Sequence, residues 1–149
     1  MNNDVYVLDN DTTRHFFAGS NASVVDRVLA APRRSIFLPI IVVQEQLKGR
    51  LGVIAQLNAS NASDNAKLPF AYKLLTKTIE DLAEFPVLPY TEEAARLFQS
   101  WPPAVKRAGT HDCLIAAIAV SGGFTVVTCN TRHFESIPDI LLEDWSITG

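Results

Sequence analysis

Apolar residues follow two rhythms along this chain, and their alternation predicts the architecture. Val5-Tyr6-Val7-Leu8 is a run of β-formers without polar alternation, as expected for a strand covered on both faces, and it stops at Asp9-Asn10-Asp11. Ser20-Asn21 offers N-caps for an amphipathic stretch carrying Val24, Val25, Val28 and Leu29. Ser35-Ile36-Phe37-Leu38 reads as a second buried strand. Pro39 is expected in the first turn of the next helix, where Ile40, Val43, Leu47, Leu51 and Ile54 recur at spacings of three and four as a core-facing stripe. The small polar run NASNASDN at 58–65 reads as the exposed turn of a helical hairpin. A long helix over about Lys67 to Glu84 follows, then a proline-bounded strand, Phe85-Pro86-Val87-Leu88-Pro89. Thr91-Glu92-Glu93-Ala94 resembles a helix start, and Trp101-Pro102-Pro103 ends that helix. Another helix runs from Thr110 to about Ser121 and is stopped by Gly122-Gly123. A strand, Phe124 to Thr128, then leads to Cys129-Asn130, and Ile140-Leu141-Leu142 is a last short strand.

Strands alternating with helices predict an α/β fold, with a mainly parallel sheet of four to five strands between two helical layers. In such sheets the site lies outside the carboxyl ends of the strands. Asp9, Asn10 and Asp11 follow the first strand and Asn130 follows the fourth, so neighbouring positions for these strands would place their polar ends in one crevice. The length of 149 residues predicts a single domain over 1–149, with the hairpin inserted around 40–85.

Composition narrows the classes. Hydrophobic residues make up 48% and charged residues 19%, which is a core-forming rather than a disordered chain. Thirteen Lys and Arg against sixteen Asp and Glu give a net charge of −3, which argues against coating nucleic acid by bulk charge and leaves a local basic rim open. Two cysteines and three histidines lack the count and spacing of a disulfide framework or a zinc site, and Cys113 and Cys129 read as small core residues. With no basic and apolar leader pattern at the start, a reducing cytoplasm is the expected location, and the Asn-Ala-Ser triplets are expected to be unglycosylated. No apolar run approaches the roughly 20 residues that span a bilayer, so no membrane association is expected.

Two carboxylates stand out against this background. Glu45 sits among Val42, Val43 and Leu47 near the start of an apolar helix, and Asp112 occupies the first turn of the almost wholly apolar THDCLIAAIA helix. Each has an ordinary explanation as an acid near the positive end of a helix dipole, worth about 0.3–1 kcal/mol. Together with Asp9 and Asn130, however, they come from four elements that this architecture gathers at one end of the sheet. Clustered carboxylates raise one another's pKa unless a cation neutralises them, and hard oxygen ligands select Mg²⁺ or Mn²⁺. One or two such ions activate water and stabilise the leaving oxygen in phosphodiester hydrolysis. No Ser-His-Asp order, P-loop or GxGxxG motif competes.

The opening VYVLDND, the helix VVQEQLKG, the block GTHDCLIAAIAVSGGFTVVTCNTRHF and the closing IPDILLEDW together resemble a PIN-domain ribonuclease, and more narrowly a VapC-type toxin of a toxin–antitoxin pair. The resemblance covers nearly the whole chain and implies the three-layer α/β/α PIN-like fold. It assigns metal binding to Asp9, Glu45 and Asp112, and a fourth catalytic position to Asn130, where many members have a further Asp. A neutral amide still offers one oxygen, so the number of metals stays open between one and two. Asn10 and Asp11 depart from the Thr-Asn or Thr-Asp pair usual after the first acid, which leaves Asp11 as an auxiliary ligand or, by the favoured reading, the N-cap of a following helix.

Lys48, Arg50, His111, Arg132 and His133 flank the acids and are candidates for RNA phosphate contacts, against the alternative of ordinary solvated charge. Phe16, Phe17, Phe70, Tyr72, Phe98 and Trp101 read as core or dimer interface rather than base-stacking platforms. The activity implied by the resemblance is a Mg²⁺-dependent endoribonuclease cleaving structured RNA such as tRNA or rRNA. The partners implied are a small antitoxin and a second copy in a homodimer. Two alternatives stand beside it: an RNA-processing PIN nuclease without an antitoxin, and a catalytically silent PIN-like binding module.

Overall fold

In the computed structural model, which describes residues 4–60 and 66–148, the strands are β1 (Tyr6–Leu8), β2 (Ile36–Pro39), β3 (Val87–Leu88), β4 (Thr125–Val127) and β5 (Leu141–Glu143). All are parallel, in the order β3-β2-β1-β4-β5. Each lies within a residue or two of its predicted position. β1 pairs with β2 on one side and with β4 on the other, with Leu8 opposite Val127. The chain therefore winds outward from β1 through β2 to β3, then returns to the other side of β1. The strand order reverses between β1 and β4, and at such a reversal the loops leaving the two strands diverge and open a crevice.

The helices are α1 (Asn10–Ala18), α2 (Ala22–Ala30), α3 (Ile40–Ala59), α4 (Leu68–Leu82), α5 (Glu92–Ser100), α6 (Thr110–Gly122) and the short α7 (Thr131–Phe134), with a 3₁₀ turn at Val105–Ala108. Successive strand residues point to opposite faces and seed two cores. Val7 and Val126 pack with Ile41, Val42, Trp101, Phe134 and the buried residues of α6. Leu8 and Val127 pack with Val24, Val28, Leu82 and Trp145 on the other face. Small residues at Ala116, Ala117 and Ala119, all fully buried, let α6 lie close against the sheet. Among the described residues no helix is long and apolar enough to cross a membrane.

Three local expectations are corrected. Pro39 ends β2 and occupies the N-cap position of α3 rather than its first turn. The α3 stripe is rotated: Ile41, Val42 and Ile54 are buried, whereas Ile40 and Leu51 are exposed. The helix straddles both cores, since Ile41 and Val42 join one and Val43 and Leu47 pack against the other, so no single stripe describes it. Asp11 is not the cap of the helix after β1. That role belongs to Asp9, whose Oδ1 accepts from the Thr12 N–H at 2.9 Å, and Asp11 lies in the first turn, 2.9 Å from Arg14. Of the aromatic residues expected in the core or a dimer interface, Trp101 is buried, whereas Phe70 and Tyr72 are exposed, which leaves the interface alternative for them. The NASNASDN stretch falls largely on residues 61–65, outside the described residues.

Candidate active site

Asp9 enters the site because β1 ends at Leu8 and α1 begins at Asn10, so the carboxylate is fixed at the junction. Its backbone N–H donates to the Val127 carbonyl (3.0 Å), and its carbonyl accepts from the Thr13 hydroxyl (2.8 Å). Only 6% of the residue is exposed. Burial pushes its carboxyl above the ordinary value of 3.8, against opposing hydrogen bonds from Thr128 and Thr12, and the Asp11 charge adds to the rise.

Asp112 is placed by the first turn of α6. Gly109 precedes this helix with φ +99° and ψ 159°, a conformation that side chains of L residues rarely adopt, and a Cβ there would meet nothing within 4 Å. Burial raises the Asp112 pKa as well, opposed mainly by His133, whose Nε2 lies 3.0 Å from Asp112 Oδ2. Asn130 follows Thr128, and its backbone N–H donates to the Thr128 hydroxyl at 3.0 Å. Thr128 is fully buried and thus ties the Asp9 carboxylate to the Asn130 loop.

Asp9, Asp112 and Asn130 line one polar cavity of about 240 Å³ together with Asn10, Asp11, Thr128, His133 and Phe134. Glu45 lines a neighbouring cavity of about 360 Å³ with His111, and Asn10 and Asp112 belong to both. The four sequence-selected groups thus surround one crevice in two compartments joined at Asp112. Glu45 Oε1 is buried without a hydrogen-bond partner among the described residues, although His111 Nδ1 approaches it to 2.5 Å outside hydrogen-bond geometry. A buried carboxylate oxygen without a well-formed hydrogen bond is costly, and the close His111 nitrogen offsets part of that cost.

Among the described residues no three His, Cys, Asp or Glu side chains are arranged as a ready-made metal cage. The donor set nonetheless fits a hard divalent cation, because two carboxylates have raised pKa values, a third has a buried oxygen with no well-formed hydrogen bond, and an amide adds a neutral one.

The basic candidates divide. His111 and His133 reach the crevice, but each lies against an acid. Lys48 is exposed and lines a groove shared with Glu45. Arg50 donates to the Thr78 hydroxyl on α4 (3.0 Å) and so faces away, and Arg132 is exposed and lines neither compartment. The sequence reading missed Thr128 and also Gln46, whose amide reaches Asn10 across the gap between α3 and α1.

The sequence profile of the PIN domain matches residues 13–140. The chain belongs to the PIN-domain family. A curated relative, the tRNA(fMet)-specific endonuclease VapC of Salmonella typhimurium, is 40% identical over 68 residues, covering 43% of this PIN protein. That match spans about half, 52%, of the relative. The solved structure of DNA-bound VapBC from Salmonella typhimurium superposes with a TM-score of 0.72 at 23% identity, over 95% of this chain and 98% of that one. VapBC2 from Rickettsia felis bound to a promoter DNA fragment gives 0.70 at 20% identity, again over 95% and 98%. At these identities the structural likeness extends to the PIN fold, which accounts for the parallel five-stranded sheet, and not to the chemistry.

Proposed function

We propose that this PIN-domain protein is a Mg²⁺-dependent endoribonuclease, the toxin of a VapBC-type toxin–antitoxin pair, and that it cleaves structured RNA such as tRNA or rRNA. The observation that carries the reading is the crevice in which Asp9, Asp112 and Asn130 share one cavity and Asp112 also borders the Glu45 compartment. Mn²⁺ is an alternative ion with the same preference for oxygen donors.

In this proposal Asp9, Glu45 and Asp112 hold the cation, with Asn130 contributing a neutral oxygen. When bound, the cation supplies water activation and charge stabilisation at the phosphodiester. The chain's own groups do the rest. The Thr12 N–H orients the Asp9 carboxylate by capping α1, Thr128 favours its charged form, and the bonds to Val127 and Thr13 fix its backbone. His133 and His111 sit where they hold Asp112 and Glu45 in place and offer N–H donors at the rim. Lys48 lies on the groove leading from Glu45, where an RNA phosphate would gain from its charge.

Binding of a small antitoxin follows from the same site, since an acidic crevice suits a basic peptide segment. A homodimer and a cytoplasmic location belong to the same proposal. The test is to sequence RNA 5′ ends after expressing wild type and Asp9→Asn side by side. New ends that appear only with wild type, and that a chelator suppresses with purified protein, are the expected result. Protein that binds Mn²⁺ yet leaves tRNA and rRNA intact would instead mark a silent binding module. Cleavage of RNA without growth arrest on expression would point to an RNA-processing nuclease.

A further inference from the structure

Asn10 lies between the two compartments of the crevice and lines both. Its side chain is not free to turn. Gln46 Nε2 lies 2.8 Å from Asn10 Oδ1 and 3.4 Å from the Asn10 backbone carbonyl. The backbone oxygen is an acceptor by necessity, so the Gln46 atom facing it is the amide nitrogen. A donor at that place in turn requires the Asn10 atom 2.8 Å away to be the oxygen. The orientation of the Asn10 amide is therefore set by the pairing and is not an arbitrary choice between two flips. With Oδ1 turned to α3, the Asn10 NH₂ is directed away from Gln46, and among the described residues it makes no hydrogen bond.

We infer that Asn10 is a substrate-contacting residue whose amide N–H groups donate to an anionic phosphodiester oxygen in the crevice, with Gln46 as the positioning residue that fixes this orientation. The inference rests on the nuclease reading and sharpens it. A crevice lined by Asp9, Asp11 and Asp112 repels a phosphate wherever no cation stands between them. A neutral donor placed beside these acids attracts the phosphate without competing with them for a cation. It also keeps its donor character at every pH at which the protein is folded, unlike a histidine. Gln46 lies next to Glu45 on α3 and Asn10 next to Asp9 on α1, so their hydrogen bond also joins the two elements that carry these acids.

The experiment measures binding and cleavage of 5′-labelled bulk tRNA, alongside Mn²⁺ binding by calorimetry and thermal melting. Loss of a hydrogen bond to a charged group predicts tRNA binding weaker by about tenfold or more for Asn10→Ala, read as a raised KM, with Mn²⁺ affinity within about twofold of wild type. Asn10→Asp retains the acceptor for Gln46 and suits the first turn of α1, so it folds if Asn10→Ala does not, and it removes the donor. It is expected to lose at least as much binding. Gln46→Glu replaces the donor by an acceptor and turns the Asn10 amide around. It should match the loss in Asn10→Ala, and the double variant should lose no more than either single one. Wild-type binding by Asn10→Asp, or losses in Asn10 and Gln46 variants that simply add, would overturn the inference while tRNA cleavage by wild type left the nuclease reading intact. A wild-type protein that neither binds nor cuts tRNA, nor any other RNA in the 5′-end experiment, removes both.

Discussion

The two ends of the sheet pose opposite problems. At the amino ends of β1 and β2 lies a cleft of about 610 Å³ lined by Asp4, Tyr6, Arg27, Arg34, Ser35 and Trp145, larger than either compartment at the carboxyl ends. Two of the polar side chains on its wall, Arg27 and Trp145, are satisfied by Glu143 at the end of β5. Arg27 lies over the Trp145 ring at 5.1 Å and 3.4 Å from Glu143 Oε1, and the same carboxylate oxygen accepts from Trp145 Nε1 at 3.1 Å. At the carboxyl ends the space is smaller and the polar groups are left in tension: two carboxyls are raised by burial, and a buried Glu45 oxygen meets the His111 ring without a well-formed hydrogen bond among the described residues. Unmet electrostatic demand, rather than cavity size, distinguishes the end expected to do chemistry.

The strongest way to break this contrast is Asp9→Asn. The amide retains an oxygen to cap α1 and removes a buried charge, so RNA cleavage should fall by more than about 100-fold while stability at neutral pH stays level or rises. A variant that loses stability and keeps activity would reverse the roles assigned to the two ends. The second test adds Mn²⁺. At ten times its dissociation constant the ion should stabilise wild type by about 1.4 kcal/mol and Asp9→Asn by much less, seen as a difference in melting shifts.

pH supplies a third test without metal, in a chelating buffer. The folded protein holds the Asp9 and Asp112 pKa values above the ordinary 3.8, so their ionisation opposes folding. The stabilising contribution of protonated Asp9 is complete below the unfolded pKa and disappears as pH rises through the folded one. Wild type should therefore gain stability relative to Asp9→Asn as pH falls toward 3.8. The smallest effect belongs to the wall of the larger cleft. Arg27 and Glu143 are each more than a third exposed, so Arg27→Ala should cost only about 0.5–1 kcal/mol by denaturant melting and leave RNA cleavage unchanged.

How much of this was legible in the sequence follows the range of the interactions. Strands such as Val5 to Leu8 and caps such as Asn21 and Thr91 are written in neighbouring residues, and the structure contains them. Alternation of elements suggested a parallel sheet, but the shared crevice of Asp9 and Asn130 was conditional on β1 and β4 being neighbours, which the strand order supplies. The start of helix α1 was misplaced at Asp11 because Asp9 ends a strand and caps a helix at once, and NDTTRHFFA carries too few apolar positions to announce a stripe. The pairs His111 with Glu45, His133 with Asp112 and Gln46 with Asn10 depend on side-chain directions across different elements. Lys48 and Arg50 stand two residues apart, yet one borders the Glu45 groove and the other reaches α4, because a helix points them about 200° apart.

Gly109 makes the position of Asp112 a matter of handedness. Its φ of +99° with ψ of 159° lies in a region open essentially to glycine alone among L residues, in space that would receive a methyl group without collision. The requirement at this point is for the absence of left-handed chirality at one carbon, not for small volume. A D-alanine introduced there by chemical ligation should preserve the first turn of α6, whereas L-alanine should shift His111 and Asp112 together and disable the crevice without altering any polar group in it.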